Sequence, residues 1–399
     1  MKVLHVIPSV NPEGGGPAEG LRQWGMKAAT LGHTVEVASL DDPGQPFLNN
    51  FPLTVHPLGP SKGHYRYNPA LVPWLKAHVG QYDAVIVNGI WQYHSFGVWR
   101  ALRNTGKPYY VFTHGMLDPW FRRYYPLKHA KKWLYWPWSD YRVLRDARAV
   151  LFTSEEERLA ARKSFWLYRA NERVITYGTA APPKDNQPAR EAFYTRFPTL
   201  RGKRFLLFLG RIHEKKGCDL LIRAFAEHAR VDAELHLVMA GPDQTGWAAT
   251  LKETVAQLGM SERVTWTGMA RGELKWGAFQ ASEAFILPSH QENFGIAVVE
   301  ALACGKPVLI SDKVNIWREI GQDGAGLVAA DTQAGVHDLI GKWRALGPDA
   351  RTKMGQCATR AFHQRFTVDA MAENLLSVLS EVGTNVTVST PAAGGGAAA

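Results

Sequence analysis

Cysteine is scarce. Cys218, Cys304 and Cys357 are the only three in 399 residues, far apart and without a Cys-x-x-Cys pair, so neither a disulfide framework nor a cysteine-based zinc site is expected. Long apolar runs are also missing, and none approaches the ~20 uninterrupted residues that would span a bilayer. The opening MKVLHVIPSV carries a lone lysine, and a proline falls where a secretory leader keeps a continuous apolar core. The expected compartment is therefore a reducing cytoplasm. Over most of its length the chain also lacks the composition of disorder: 46% of residues are hydrophobic, 21% are charged and tryptophan is frequent at 14. A chain of this length accommodates two domains, each able to bury its own core.

Acidic residues are thin in the first half. Residues 1–182 hold 22 Lys and Arg against 13 Asp and Glu, whereas residues 183–399 hold 24 against 23, so nearly all of the formal +10 lies in the first half. A basic half beside a near-neutral one points to an anionic ligand or surface that meets the first domain.

Short strand patterns alternate with helix patterns twice over. KVLHVIP, HTVEVASL, DAVIVNG, PYYVFTHG and AVLFTS form the first series; RFLLFLGR, AELHLVMAGP, RVTWTG, AFILPS and KPVLISD form the second. The fold class expected is α/β: two Rossmann-like, doubly wound parallel-sheet domains facing a central cleft. Residues 1–182 are assigned to the first domain, 183–365 to the second, and 366–382 to a closing helix that packs back on the first. YGTAAPPKDNQPAR, 177–190, reads as the linker. Residues 383–399, TNVTVSTPAAGGGAAA with the residue before it, hold too little bulky apolar content to pack and read as a disordered tail.

In such sheets ligands bind where strands end. After the first strand of the second domain, in FLLFLGRIHEKKGCDLLIRAF, Arg211 and Lys216 flank a short turn and Gly217 admits a helix. Two cations beside a helix N-terminus make an anion site that suits a diphosphate; solvated surface lysines are the plainer alternative. In LPSHQENFGIAVVEALACGKPVLISD, Glu292 precedes the turn Asn293-Phe294-Gly295 and Glu300 follows on the next helix, about 7.5 Å along the axis from Gly295. Amides of Phe294, Gly295 and Ile296 suit phosphate oxygens, and carboxylates to either side suit hydroxyls. Glu300 could equally be an exposed helix residue.

These stretches, with the Gly-rich loop at 14–16 and MAGP after the next strand, resemble family 4 (group 1) of the retaining glycosyltransferases with the GT-B fold, over roughly residues 1–382. The resemblance implies Arg211 and Lys216 as diphosphate ligands, Glu292 at the donor sugar and Glu300 at the ribose. It places the loop holding Gly15 and Gly16 near the donor phosphates and His114 near the donor sugar. It further implies retention of configuration, a nucleoside diphosphate sugar as co-substrate with no other cofactor, a glycan or lipid-linked acceptor, and a setting in bacterial surface polysaccharide synthesis. No Asp-x-Asp occurs, so the cations and helix amides are expected to replace a metal ion. His114 could instead be a buried core residue. Asp118 and Trp120 adjoin it, Asn88 stands where relatives often carry histidine, and base recognition is expected around Pro242 and Ser289 to Gln291.

Other readings of the same residues are a GT-B nucleotide-sugar epimerase, a silent sugar-nucleotide binder and a nicotinamide-dependent oxidoreductase. The last needs Gly-x-Gly-x-x-Gly, but counting from Gly14 puts Glu19 in the third place and Gly20 misses by one, although Asp41-Asp42 imitates a ribose-binding acid. Finally, residues 120–145 carry seven Lys and Arg, one acid and nine aromatics. That mixture suits peripheral contact with an anionic membrane, at the inner face of the cytoplasmic membrane, or aromatics packed against their own domain with lysines facing water. No nucleic-acid signature accompanies it.

Overall fold

The computed structural model of the protein describes residues 1–12, 15–183, 185 and 187–381. Gly14 and the tail assigned to 383–399 lie outside the described residues. The first sheet contains β1 (Lys2–Ile7), β2 (Thr34–Ser39), β3 (Thr54–Pro57), β4 (Ala84–Asn88), β5 (Tyr109–Phe112), β6 (Ala149–Phe152) and β7 (Glu172–Val174). All pairings are parallel, in the order β3-β2-β1-β4-β5-β6-β7. The second contains β8 (Arg204–Leu209), β9 (Leu235–Ala240), β10 (Val264–Gly268), β11 (Ala284–Leu287), β12 (Val308–Ser311) and β13 (Gly326–Ala329), in the parallel order β10-β9-β8-β11-β12-β13.

The central strands are near-continuous apolar runs because helices cover both faces of each sheet. AVIVN, AVLF and LHLVMA are buried at every position. In each sheet the strand order reverses beside the first strand, between β1 and β4 and again between β8 and β11. A crevice opens outside the strand ends at such a reversal, and that is where a ligand site belongs in this architecture.

The chain passes between the domains twice, side by side. Thr179 pairs with Thr367 in a parallel bridge, and its N–H donates to the Phe366 carbonyl at 3.0 Å. Helix Val368–Ser380 then lies against helix Gly16–Thr30, with Lys27 and Asp369 paired at 2.5 Å. The stretch read as a linker is shorter than expected. Tyr177 is buried, and a helix already begins at Gln187, because Ala189 and Phe193 pack closely against Gly277 of helix Gly272–Ala281. Tyr177 meets Phe294 edge-on at 5.5 Å and Phe294 meets Phe366 at 5.9 Å, so apolar packing runs unbroken from one domain to the other.

Candidate active site

Between the domains lies a cavity of about 390 Å³, walled by loops at the C-terminal ends of strands. Gly15 and Gly16 arrive after β1, His114 and Gly115 after β5, Thr153 after β6 and Tyr177 after β7. From the second domain come Arg211, Lys215 and Lys216 after β8, and the run Gln291 to Ile296 after β11.

Backbone geometry sets the second-domain side. Gly217 sits at φ 65°, and a Cβ there would lie 2.2 Å from the Pro288 carbonyl oxygen, so only glycine brings the β8 loop against the β11 loop and opens helix Cys218–Ala229. Helix Ile296–Ala303 likewise starts after Gly295 in the left-handed region. Across the cleft begins helix Gly16–Thr30, and a Cβ built on Gly16 would lie 3.3 Å from Ile296 Cδ1. Two helix N-termini, one from each domain, therefore meet at one cavity, and their unpaired N–H groups and dipoles both favour an anion there.

Side chains add charge of the same sign. Arg211, Lys215 and Lys216 line the wall, against Glu292 alone among the described acidic residues. Burial would raise the Glu292 carboxyl, but Lys216, with Lys215 and Arg211 behind it, holds it below the ordinary carboxylate range. Lys216 Nζ donates directly to Glu292 Oε2. Burial, helped by Lys216, pushes Lys215 down to about 8. The backbone of Glu292 is fixed by its N–H donating to the Lys313 carbonyl at 2.9 Å and by its carbonyl accepting from Asn315 at 3.0 Å.

Glu300 stands apart. It is buried, accepts from Lys275 Nζ at 2.6 Å and does not reach the cavity wall, because Lys275 on helix Gly272–Ala281 and nearby Glu19 face it instead. Burial raises its carboxyl in spite of that ammonium.

His114 takes φ 48°, a left-handed conformation that costs a non-glycine residue ~1 kcal/mol or more. Both of its neighbours are held by Glu157, whose Oε1 accepts from Thr113 Oγ1 at 2.7 Å and from the Gly115 N–H at 2.6 Å. Glu157 Oε2 accepts from the Thr153 N–H at 2.7 Å and from its hydroxyl at 2.8 Å. Asn293 Nδ2 reaches across the cleft to Thr153 Oγ1 at 3.0 Å. Burial, with a smaller push from His94, holds His114 at about 4, so its ring is neutral near pH 7. Asn88 Oδ1 lies 3.4 Å from His114 Nε2, while Asn88 Nδ2 faces His5 Nδ1 at 3.0 Å. With the amide donating to His5, its oxygen is the acceptor for an Nε2–H of His114.

The structure thus gathers His114, Arg211, Lys216, Glu292, Asn293, Phe294, Gly295, Ile296, Gly15 and Gly16 around one cavity, leaving Glu300 behind Lys275. Of the residues expected at the base, Gln291 lines the wall and donates to Asp118 Oδ2 at 3.0 Å, linking the domains, and Ser289 is buried. Sequence reasoning missed Thr153, Tyr177, Glu157 and Lys275. Glu157 had a signal in Ser154-x-x-Glu157, the spacing of a helix capping box, and Ser154 Oγ does cap the Glu157 N–H at 3.1 Å. Tyr177 lay within the presumed linker, and nothing in the local sequence marks Lys275.

The residues that imitated a dinucleotide site have other partners. A Cβ on Gly20 would fall 1.5 Å from the Tyr177 hydroxyl, so this glycine admits a tyrosine. Asp41 is buried and braces the β1 loop by accepting from the Val10 N–H at 2.9 Å.

The basic aromatic stretch is buried in one part and exposed in another. Trp136 is fully buried, stacked on Phe165 at 4.6 Å, and Asp140, Val143 and Leu144 are buried with it. Helix Pro126–Tyr135 buries no residue, and Leu127, Leu134 and Trp138 are 81%, 77% and 67% exposed beside its lysines. Among the described residues no helix is long and apolar enough to cross a membrane.

Two wound domains closing on an anion-attracting cleft define the GT-B class of sugar-transferring enzymes, and solved structures of that architecture superpose on nearly the whole chain. Sucrose-phosphate synthase from Thermosynechococcus elongatus does so with a TM-score of 0.76 and 20% identity, covering 95% of this chain and 98% of that one. HepE of Anabaena, solved with UDP-glucose, gives 0.76 and 18%, covering 95% and 99%. Residues 15–178 match the family model described as glycosyl transferase 4-like domain, and residues 193–360 match glycosyl transferases group 1. The chain belongs to the family 4, group 1 glycosyltransferases. A D-inositol 3-phosphate glycosyltransferase of Nocardia farcinica is 32% identical over 48% of this chain and 43% of its own length. An α-D-kanosaminyltransferase of Streptomyces kanamyceticus is 25% identical over 62% and 64%. The chain thus matches 43% and 64% of the length of these two curated relatives.

Proposed function

We propose that the protein transfers a sugar, with retention of configuration, from a nucleoside diphosphate sugar to a hydroxyl of a glycan or lipid-linked acceptor in bacterial surface polysaccharide synthesis. One observation carries this reading: Arg211, Lys216 and the N-termini of two helices from different domains converge on a single cavity. As the anomeric carbon parts from the diphosphate, negative charge builds on the leaving oxygens, and fixed cations and amides in a closed cleft stabilise that charge more than they stabilise the ground state. Arg211 and Lys216 act there as catalytic residues, with the Gly295 and Ile296 amides beside them and the Gly15–Gly16 loop closing from the first domain. This supply of positive charge supports a reaction independent of metal and of any further cofactor.

Glu292 grips hydroxyls of the donor sugar, oriented by Lys216; neutral His114, its Nε2–H given to Asn88, accepts from a hydroxyl of the same sugar through Nδ1; Glu300 and its partner Lys275 meet the ribose where the donor extends beyond the cavity wall. Among the described acidic residues Glu292 alone lines the cavity, and Lys216 engages it. That favours front-face attack, in which the departing phosphate takes the acceptor proton, over double displacement through a carboxylate nucleophile. The relatives named for transfer to an inositol phosphate and for kanosaminyl transfer support a sugar donor with a polyhydroxylated acceptor. The test is product analysis with UDP-, GDP- and ADP-sugars. A new glycosidic bond formed only with acceptor present supports transfer, whereas an isomerised donor formed without acceptor identifies an epimerase and donor binding without turnover a silent module.

Helix Pro126–Tyr135, with Leu127 and Leu134 exposed between lysines, serves as the peripheral contact with the anionic inner face of the cytoplasmic membrane. Flotation with phosphatidylglycerol vesicles should carry the protein up at low salt, and Lys131→Glu should weaken binding about fivefold or more, since a basic residue near such a surface is worth ~1 kcal/mol. Absence of flotation at low salt removes the membrane assignment.

A further inference from the structure

A chain of hydrogen bonds runs from the β11 loop of the second domain into the backbone that holds His114. Asn293 Nδ2 lies 3.0 Å from Thr153 Oγ1, which in turn lies 2.8 Å from Glu157 Oε2. The other oxygen of that carboxylate accepts from Thr113 Oγ1 at 2.7 Å and from the Gly115 N–H at 2.6 Å, on either side of His114. The direction along the chain is fixed. The Thr153 hydroxyl has one proton, which goes to the carboxylate, so toward Asn293 it can only accept, and the group facing it must be the amide NH2. A second contact ends at the same place. Gly115 takes φ 74°, and a Cβ built on it would fall 2.7 Å from Asn293 Oδ1, so the asparagine lies directly on the residue after His114.

Thr113, Thr153 and Glu157 are buried, where hydrogen bonds are stronger than in water. His114 itself holds φ 48°, a conformation that persists only where the surroundings fix it. Part of that fixing comes from the opposite domain. Glu292, the chain neighbour of Asn293, faces Lys216, so one loop carries both the carboxylate of the cavity and the asparagine that reaches the support of His114. Arg318 also crosses between the domains, to Glu156 Oε2 at 2.8 Å, but that pair lies toward solvent, its side chains 48% and 27% exposed. We propose that Asn293 is a positioning residue: through Thr153 and Glu157 the donor-side loop sets the backbone of His114, which takes its place in the cavity only when the two domains meet. That His114 acts on a sugar rests on the transferase reading; the coupling of Asn293 to His114 does not.

Isotope labelling of histidine in the full chain, read by NMR, tests the coupling, with the His114 ring signal assigned by its loss in His114→Gln. Turnover and affinity for UDP- and GDP-sugars are measured alongside. Asn293→Ala and Thr153→Val should each move the His114 signal, whereas Thr153→Ser, which keeps the hydroxyl, and Arg318→Ala should leave it in place. Asn293→Ala and Thr153→Val should each lower kcat about tenfold with donor affinity held within about twofold, and together they should cost no more than either alone, because they cut one chain. Should Asn293→Ala not fold, Asn293→Ser, too short to reach the hydroxyl, takes its place. The proposal is overturned if the Asn293 variant leaves the His114 signal unmoved, if Arg318→Ala moves it as far, or if the losses multiply in the double variant. If no sugar donor is turned over while the His114 signal follows Asn293 and Thr153, the transferase reading falls and the coupling stands.

Discussion

The two domains share one kind of sheet and build their sides of the cleft differently. In the second, Arg211, Lys215 and Lys216 fall within six positions and Gln291 to Ile296 are consecutive. In the first, Gly15, His114, Thr153 and Tyr177 come from four separate strand ends. An anion is held by successive backbone amides and cations at a helix start, so its site is compressed into short stretches of chain. A wall that orients a sugar takes one side chain from each of several strands, and its precision depends on what fixes those strand ends to one another.

The largest effect expected from this contrast lies on the compact side. Replacing Arg211 and Lys216 together by alanine should lower kcat/KM about a thousandfold, since a charge-assisted contact contributes ~1.5–3 kcal/mol and both are proposed to act on the same leaving group. Rates near wild type in the pair would break the comparison at its centre. On the dispersed side, Glu157→Gln leaves one of two donor pairs, Thr113 Oγ1 with the Gly115 N–H or the Thr153 N–H with its hydroxyl, without its acceptor. It should cost ~2–3 kcal/mol in urea unfolding and lower kcat about tenfold or more through a misplaced His114, with donor affinity unchanged. A matching loss of donor affinity would mean that Glu157 merely supports the fold.

Acid should separate the domains further. Burial holds His5, His94 and His114 neutral, at about 3, 4 and 4 against an ordinary 6.5. The unfolded chain takes up these protons as pH falls through 6.5 and the folded first domain does not until near 4. Their contribution to stability is therefore present above 6.5 and lost as pH falls from there toward 4. Burial lowers His213, His228 and His236 in the second domain as well, though less far than the three in the first. Hydrogen exchange at pH 7 and pH 5 should show β4 and β5 losing protection before β8 and β9. The smallest effect should come from chelation: on the proposed reading, in which the cations of the second domain serve the leaving group, EDTA is expected to leave turnover within about twofold.

The contrast also decides what could be read from the chain. Strands such as AVIVN and FLLFL stood out because they are buried on both faces and carry unbroken apolar residues. The strands that escaped were TVHP, ERV and GLVA; all are short, none has a buried residue, and each lies at the edge of its sheet. An edge strand forms because a neighbour offers hydrogen bonds, and that leaves little mark on its own residues. The same holds at the site. Arg211, Lys216 and Glu292 sit in stretches whose local pattern already implies a phosphate, whereas Tyr177 and Lys275 acquire their places only from the packing of other elements around them. The spacing of Glu292 and Glu300 was legible and their surroundings were not: one faces the cavity beside Lys216, the other is turned to Lys275.

Thr179 and Thr367 lie side by side where the chain passes between the domains, tied by a backbone bridge. Two parallel covalent links resist twisting and permit bending, like two knuckles on one pin. Because helix Val368–Ser380 packs on the first domain, the two domains are divided at this bridge rather than by position along the chain. Helix Val368–Ser380 thus belongs with the first domain in space although it follows the second in sequence.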